Sequence, residues 1–286
     1  MLTFYREGKR FRLPRRPFLV SLVFCLVVFF VATPMALASS HAPSAQLVGP
    51  KARYLALGDS LAFGFQPDLD FTDGYTNVFM ADLSDHDVAH SANLGCPGET
   101  SSTFIHGGCP NPLLRKYLYV GSQLDAAVKY LNHYKGQVSP VTLDIGANDL
   151  LSQVNTKTCA VDVARFRSDL AQLDTNLTAV ILPRLRTALT VDGSVTGDLA
   201  LMNYYDPYQN ICPATVPLVQ ELNQHLVRDI SGYGVLVDVF SAFGGTQIPN
   251  SHICSYTWIC SIFHDIHARD AGYQVIARAF EERLGY

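Results

Sequence analysis

The sequence predicts a single α/β domain built as a three-layer α/β/α sandwich around a parallel sheet. Short apolar runs alternate with longer segments of helical periodicity, and Gly or Asp follows several of the apolar runs. This alternation is typical of parallel strands joined by crossover helices. No internal repeat and no second domain is visible in the sequence.

Each element of this fold has its own pattern. The apolar runs predict five strands, at Tyr54–Leu57, Val88–Leu94, Val141–Ile145, Leu199–Tyr204 and Val235–Val239. Helical spacing predicts five helices, at Gly74–Ser84, Ser122–Tyr134, Val161–Leu189, Val216–Ile230 and Ala271–Leu284. Pro183 should kink or divide the third of these, because proline lacks the backbone N–H. The aromatic stretch from Phe243 to Phe263 is predicted to be irregular.

The N-terminus predicts export. Residues 1–38 combine a basic start, the apolar run from Phe18 to Ala32 and the small-residue site Ala36-Leu37-Ala38, which together indicate a cleaved signal peptide. Residues 39–50 then form a linker, and residues 51–286 form the domain. An uncleaved membrane anchor is the alternative, although the apolar run is short for a membrane span. We therefore expect a secreted, extracellular protein.

Charge excludes several kinds of partner. The predicted signal peptide holds 6 of the 21 basic residues and 1 of the 25 acidic residues, so 15 basic and 24 acidic residues remain, a net charge of −9. Such a chain is not expected to bind nucleic acid or an anionic membrane surface. We also expect no stable membrane insertion once the signal is removed, and a monomer.

Six cysteines remain after Cys25 of the signal region is removed: Cys96, Cys109, Cys159, Cys212, Cys254 and Cys260. An even number in an exported chain predicts disulfides, and six cysteines allow 15 pairings. The spacings do not resemble the CxxC pairs of zinc sites, so no metal is expected.

Ser60 is the candidate nucleophile. It follows the first predicted strand in Gly58-Asp59-Ser60-Leu61, at the carboxyl edge where open α/β sheets bind ligands. The N–H groups that follow it open a helix and can bind an anion. The alternative is a serine that only caps that helix, which is common.

Two later positions are candidates for an oxyanion hole. Asn148, in Gly146-Ala147-Asn148-Asp149, follows the third strand, so its amide can point to the same edge as Ser60. Gly95 ends the second strand and can offer its backbone N–H. The alternatives are a helix-capping Asn and an ordinary turn glycine.

His267 is the candidate general base. It lies in Phe263-His264-Asp265-Ile266-His267, directly before the last helix, and an imidazole can accept the Ser60 proton and return it to a leaving group. The alternatives are a polar loop residue, or a metal site formed with His252 and His264. The metal site is disfavoured because no helical spacing such as H-E-x-x-H is present.

Together these residues resemble the SGNH family, also called the GDSL lipases and esterases, over essentially all of residues 51–286. The resemblance implies a flavodoxin-like five-stranded sheet of order 2-1-3-4-5, with Ser60 as nucleophile and His267 as base. It also implies an oxyanion hole made by the Ser60 N–H, the Gly95 N–H and the Asn148 amide. The exported form with sequential disulfides is most similar to actinobacterial lipases and esterases, and implies the pairs Cys96–Cys109, Cys159–Cys212 and Cys254–Cys260.

The sequence departs from the family at one position. The family usually carries an acidic residue three before the histidine, where this chain has His264; Asp265 lies only two before it. Some exported members orient the histidine with a backbone carbonyl. The resemblance therefore suggests a Ser60–His267 dyad oriented by the His264 carbonyl, with Asp265 as the alternative.

The expected function is hydrolysis of a small-molecule or lipid ester through an acyl-Ser60 intermediate, without a cofactor. The aromatic residues Phe243, Tyr256, Trp258 and Phe263 either line an acyl pocket or pack around a disulfide. The alternative function is a non-catalytic ligand- or carbohydrate-binding module on the same scaffold, since a fold does not fix a function.

Overall fold

The structure is a computed structural model that describes residues 46–286. The predicted signal peptide and the first residues of the predicted linker lie outside the described residues. A five-stranded parallel sheet forms the centre, in the order β2-β1-β3-β8-β9. Its strands are β1 (Arg53–Gly58), β2 (His90–Asn93), β3 (Val138–Asp144), β8 (Leu199–Met202) and β9 (Val235–Val237). These are the five predicted strands in the predicted order.

Four further strands form two small hairpins outside the main sheet: β4 (Val154–Asn155) with β5 (Ala160–Val161), and β6 (Thr190–Val191) with β7 (Ser194–Val195). The sequence did not predict them, because two-residue strands carry too little pattern to detect. Each interrupts a crossover connection without changing the order of the main sheet.

The helices cover both faces of the sheet. They are α1 (Ser60–Phe63), α2 (Tyr75–Ser84), α3 (Ser101–His106), α4 (Gln123–His133), α5 (Ala147–Leu150), α6 (Val163–Asn176), α7 (Leu182–Ala188), α8 (Val216–Ile230), α9 (Val239–Ala242), α10 (Ser251–Tyr256) and α11 (Asp270–Leu284). Helix α2 packs on α11, whereas α4, α6, α7 and α8 pack with one another. With right-handed crossovers, these two groups lie on opposite faces of the sheet.

The buried side chains come from the sheet and the inner sides of both helix layers. The central strand β3 is buried along its whole length, as expected for a parallel strand covered on both faces. On the other side of β1, Tyr75 of α2 stacks on Phe280 of α11, with ring centroids 5.2 Å apart. The α2–α11 layer is therefore held by aromatic packing.

The predicted long helix is divided near Pro183. Helix α6 ends at Asn176, a π-helical segment spans Leu177–Ile181, and α7 begins at Leu182 with Pro183 in its first turn. Proline is tolerated there because the first N–H groups of a helix have no intrahelical acceptor. The aromatic stretch predicted to be irregular contains the short helix α10, which is a correction to that prediction.

The structure contains the three expected disulfides, Cys96–Cys109, Cys159–Cys212 and Cys254–Cys260. The first two tie the segments after β2 and β8 to neighbouring loops. The third joins Cys254 of α10 to Cys260, six residues later in the loop before α11. All three therefore fasten connections outside the main sheet.

The end of the predicted linker is part of the domain. Leu47 packs against the core, and the N–H groups of Val48 and Gly49 donate to the Asp198 carboxylate at 2.8 and 2.9 Å. The hydroxyl of Tyr286 donates to the same carboxylate at 3.1 Å. Residues 47–49 of the predicted linker therefore pack on the domain, and Asp198 fastens both ends of the described chain.

We predict that Asp198→Ala lowers the free energy of unfolding by about 2 kcal/mol, because it leaves the Val48 and Gly49 N–H groups without their charged acceptor. Tyr286→Phe removes only one bond to the same carboxylate and should cost less. Urea unfolding of both variants measures the difference. Equal costs for the two variants would contradict this account.

Candidate active site

Ser60 lies where β1 passes directly into α1 at the carboxyl edge of the sheet. The turn depends on Gly58, whose φ is +139° and whose missing Cβ would lie 2.2 Å from the carbonyl oxygen of Asp144. No other residue fits both requirements. The Asp59 carboxylate then caps α1 by accepting from the N–H of Leu61 at 2.9 Å. This geometry places Ser60 at the helix start and leaves its N–H without an acceptor among residues 46–286.

A buried carboxyl group holds this turn against β3. Asp144, at the end of β3, accepts from the N–H of Asp59 at 3.2 Å and from the N–H of Ala62 at 3.0 Å through one oxygen. Its other oxygen accepts from the Tyr75 hydroxyl at 2.7 Å. The two N–H groups lie on either side of Ser60. Asp144 therefore fixes the backbone that carries the candidate nucleophile.

The side-chain amide of Gln123, at the start of α4, holds the other side of the turn. It accepts from the Gly58 N–H at 2.7 Å and donates to the Gly58 carbonyl at 2.9 Å. It also donates to the Glu99 carboxylate at 3.0 Å. The amide thus satisfies both backbone groups of Gly58 and links the loops after β1 and β2.

His267 joins Ser60 to an acid. Its Nε2 lies 2.7 Å from the Ser60 Oγ, and its Nδ1 lies 2.6 Å from Oδ1 of Asp265. Because a carboxylate only accepts, Nδ1 carries the proton, and Nε2 is left to accept from the serine hydroxyl. The three side chains form a continuous hydrogen-bonded chain from acid to serine.

The prediction that the His264 backbone carbonyl orients His267 was therefore wrong. The alternative, Asp265, is the group that contacts Nδ1. The physical reason is a tight turn. Asp265 Oδ1 also accepts from the backbone N–H of His267 at 2.8 Å, so a spacing of two residues brings the carboxylate under its own histidine. Burial opposes ionisation of Asp265, but the hydrogen bonds and charge of His267 lower its pKa below the usual range.

The loop that carries His267 is fastened on several sides. The His267 carbonyl accepts from the Trp258 N–H at 3.0 Å, and the Ile266 carbonyl accepts from the Tyr205 hydroxyl at 2.9 Å. The ring of Phe65 lies 4.7 Å from the imidazole, centroid to centroid. These contacts restrict the imidazole to the position facing Ser60.

The oxyanion-hole prediction needs one correction. The N–H of Gly95 donates to Oδ1 of Asn93 at 3.0 Å, and a Cβ on Gly95 would lie 2.6 Å from the Phe63 nitrogen. Gly95 is therefore a close-packing glycine whose N–H is already bonded, and the prediction that it donates to substrate was wrong. Asn148 does lie at this edge, where its Nδ2 donates to the Glu99 carbonyl at 3.0 Å.

Gly98 is the better candidate, and sequence reasoning missed it. Its φ is +86°, and its N–H has no acceptor in the part of the chain that the structure describes. It directly precedes Glu99, whose carbonyl contacts the Asn148 amide. The available signal was Gly-Glu-Thr-Ser at residues 98–101, which leads into the start of helix α3.

Ser60 and His267 stand at one end of an apolar pocket of about 780 Å³, open mouth included. Helices α5 and α6 form one wall and α8 forms the other; the main apolar residues are Leu150, Leu151, Val154, Phe166, Leu218 and Leu222. The interpretation of four aromatic residues as an acyl-pocket lining was wrong, because none of them lines this pocket: Phe243, Tyr256, Trp258 and Phe263. Phe243 instead stacks on Tyr205, 4.3 Å between centroids, behind the pocket wall.

One group of possible metal ligands occurs within residues 46–286, formed by Cys96, Cys109 and Glu99. The two sulfur atoms are joined in a disulfide and cannot act as thiolate ligands. The donor set of this group therefore does not suit a metal.

A serine, histidine and carboxylate in hydrogen-bonded sequence, beside free N–H groups and an apolar pocket, define a serine-hydrolase type of site. The model of the GDSL-like lipase/acylhydrolase family matches residues 56–275. The chain belongs to this family and is a carboxylic ester hydrolase. Comparison with curated proteins gives no match.

Solved structures show the same fold at low sequence identity. A lipase from a goat rumen metagenome superposes with a TM-score of 0.59 at 18% identity, covering 82% of this chain and 98% of that one. An acetylxylan esterase from Geobacillus stearothermophilus gives 0.51 at 16%, covering 84% and 97%. Phospholipase A1 from Streptomyces albidoflavus gives 0.52 at 18%, covering 82% and 99%. These likenesses concern the fold.

The Asp144 carboxyl should make folding stability depend on pH. Burial, with the nearby charge of Asp59, raises the pKa of Asp144 well above the usual carboxyl range. The folded protein therefore retains the Asp144 proton to a higher pH than the unfolded chain, which releases it near about pH 4. Since the folded state binds more protons, this group's contribution to stability is greatest at low pH and declines as pH rises toward the folded-state pKa.

We predict that Asp144→Asn flattens the dependence of unfolding free energy on pH between pH 5 and 8, by up to about 1.4 kcal/mol per pH unit. Urea unfolding at three pH values in this range measures the slope. An unchanged slope would show that Asp144 is ionised in the folded protein.

Proposed function

We propose that the protein is an exported ester hydrolase that works through an acyl-Ser60 intermediate. The observation that carries the proposal is the hydrogen-bonded chain from Asp265 through His267 to Ser60. His267 Nε2 takes the serine proton as Oγ attacks the ester carbonyl, and then protonates the leaving alcohol. Water, activated by the same imidazole, releases the acid and restores Ser60.

The negative charge on the ester oxygen needs donors in the transition state. The Ser60 N–H and the Asn148 amide are the donors kept from the sequence prediction, and the Gly98 N–H replaces that of Gly95. One such donor typically contributes about 3–4 kcal/mol to transition-state stabilisation. The Asp265 carboxylate stabilises the imidazolium that forms at the same time.

The proposal is tested with Ser60→Ala, which should abolish ester hydrolysis while leaving unfolding unchanged. A phosphonate probe should label Ser60 in the parent protein. Asp265→Asn should lower kcat by about 10⁴, because the amide favours the wrong imidazole tautomer. His264→Ala is the matched control and should be mild. Labelling at another serine, or an Asp265→Asn variant as active as His264→Ala, would refute the assignment.

The pocket supports an acyl group of several carbons as substrate. Its apolar walls lead away from Ser60 between α6 and α8, and apolar surface is what an acyl chain gains from burial. An acetyl group has too little apolar surface to make use of these walls. We therefore propose lipid or medium-chain esters over acetylated polysaccharides.

Val219→Trp, in the α8 wall, should shorten the pocket and lower kcat/KM for p-nitrophenyl decanoate about tenfold or more, with little change for the acetate ester. The matched control is Val227→Trp, two turns further along α8 and outside the pocket. An equal loss on both esters would place the acyl chain elsewhere.

Export is supported by two independent features. The N-terminal sequence has the form of a signal peptide, and the domain holds three disulfides, which persist in oxidising compartments. No helix within the described range 46–286 has the length and apolar character to cross a membrane.

A further inference from the structure

Large apolar side chains are strongly exposed on loops at the carboxyl edge of the sheet. Six of them are here called the apolar rim: Leu69 (72% exposed), Leu113 (97%), Leu118 (82%), Val120 (98%), Ile262 (89%) and Phe263 (46%). They lie in loops 64–74, 107–121 and 257–269. Exposed apolar side chains gathered in one region mark a binding surface.

These loops meet at the mouth of the active site. Lys116 in loop 107–121 donates to the Phe71 carbonyl in loop 64–74 at 2.6 Å. Gln66 in loop 64–74 accepts from the Trp258 indole at 3.0 Å, and Phe65 packs on His267. The three loops that carry the apolar rim are therefore joined to one another beside His267.

The distribution of exposed apolar residues is one-sided. Of eleven large apolar side chains exposed within residues 46–286, nine lie in loops that follow the carboxyl ends of β1, β2, β8 and β9. The other two are Val163 and Val227. Val227 lies near the end of α8, which runs back toward the start of β9 and thus toward the opposite edge. It provides a control position.

The apolar rim suits a fluid lipid surface better than a protein. Its six members are spread over three separate loops, whereas protein interfaces are closely packed and complementary in shape. Esters whose acyl chains would fill the pocket also aggregate in water, so the enzyme must reach them at a surface. Resting on the proposed ester-hydrolase function, this argument connects the apolar rim to the substrate.

Charge narrows the choice of lipid. Beyond the predicted signal peptide the chain carries a net charge of −9, and loop 64–74 contains Asp68, Asp70 and Asp73 against Arg115 and Lys116 in loop 107–121. An anionic surface would repel this excess of acidic groups. We propose that the apolar rim binds the surface of lipid aggregates without net charge and so places the mouth of the pocket against its substrate.

The experiment uses the protein in the form that the expressing cells release. Every sample carries Ser60→Ala, so that the lipid is not hydrolysed. Co-sedimentation with phosphatidylcholine vesicles should show binding, and a variant combining Leu118→Asp with Val120→Asp should weaken it about tenfold or more. Val227→Asp should bind as the parent does. Vesicles rich in phosphatidylglycerol should bind less than phosphatidylcholine vesicles.

Activity separates this proposal from the proposed function. With Ser60 restored, the double variant should keep its kcat/KM on dissolved p-nitrophenyl butyrate and lose activity on phosphatidylcholine vesicles. A parent protein with no activity on any ester would instead refute the proposed function, even if it still bound vesicles.

Three outcomes would overturn the apolar rim as a lipid-binding surface. The double variant could bind vesicles like the parent, the parent could prefer phosphatidylglycerol, or Val227→Asp could weaken binding equally. A parent that sediments as a dimer and becomes monomeric in the double variant would assign the surface to a second copy of the chain.

Discussion

The position of the nucleophile depends on one buried carboxyl group, Asp144. Parallel pairing brings the ends of β1 and β3 side by side. The hydrogen bonds between these strands do not by themselves fix a residue that lies beyond the last of them. Asp144 continues the pairing with its side chain, accepting from the N–H groups of Asp59 and Ala62 on either side of Ser60. Burial raises the pKa of this carboxyl, so the packing that fixes the Ser60 backbone also opposes ionisation of the group that holds it.

Asp265 and His267 keep the contact between acid and histidine at a shorter sequence spacing than the family usually has. With only one residue between acid and histidine, the carboxylate must fold back on its own loop to reach the imidazole. Asp265 does so by accepting from both the backbone N–H and the Nδ1 of His267. The same bonds that orient the ring define the turn, so the departure from the family spacing changes the geometry of the turn and keeps the carboxylate.

The sequence predicted the parts that depend on pattern and order. The alternation of strands and helices, and residues at the ends of strands β1 and β3, identified the sheet edge with Ser60 and Asn148. Choices between neighbouring groups failed. Gly95 and Gly98 are both loop glycines, and only the contact with the Asn93 side chain shows that the first N–H is already bonded. The pocket walls arise from contacts distant in sequence, which no local pattern records, and the strands of the two hairpins are too short to carry a pattern.

The apolar residues at this sheet edge fall into two groups, those that line the pocket and those of the apolar rim that are exposed to water. The residues between α6 and α8 are buried or half-buried, so their apolar character fits both packing and contact with an acyl chain. The apolar rim has no such explanation: Leu113 and Val120 are almost fully exposed and stabilise no described core. Since exposed leucine and valine favour aggregation, their concentration around the mouth of the site is best understood as a functional surface. An ester hydrolase whose substrate is itself a lipid surface has a direct use for it.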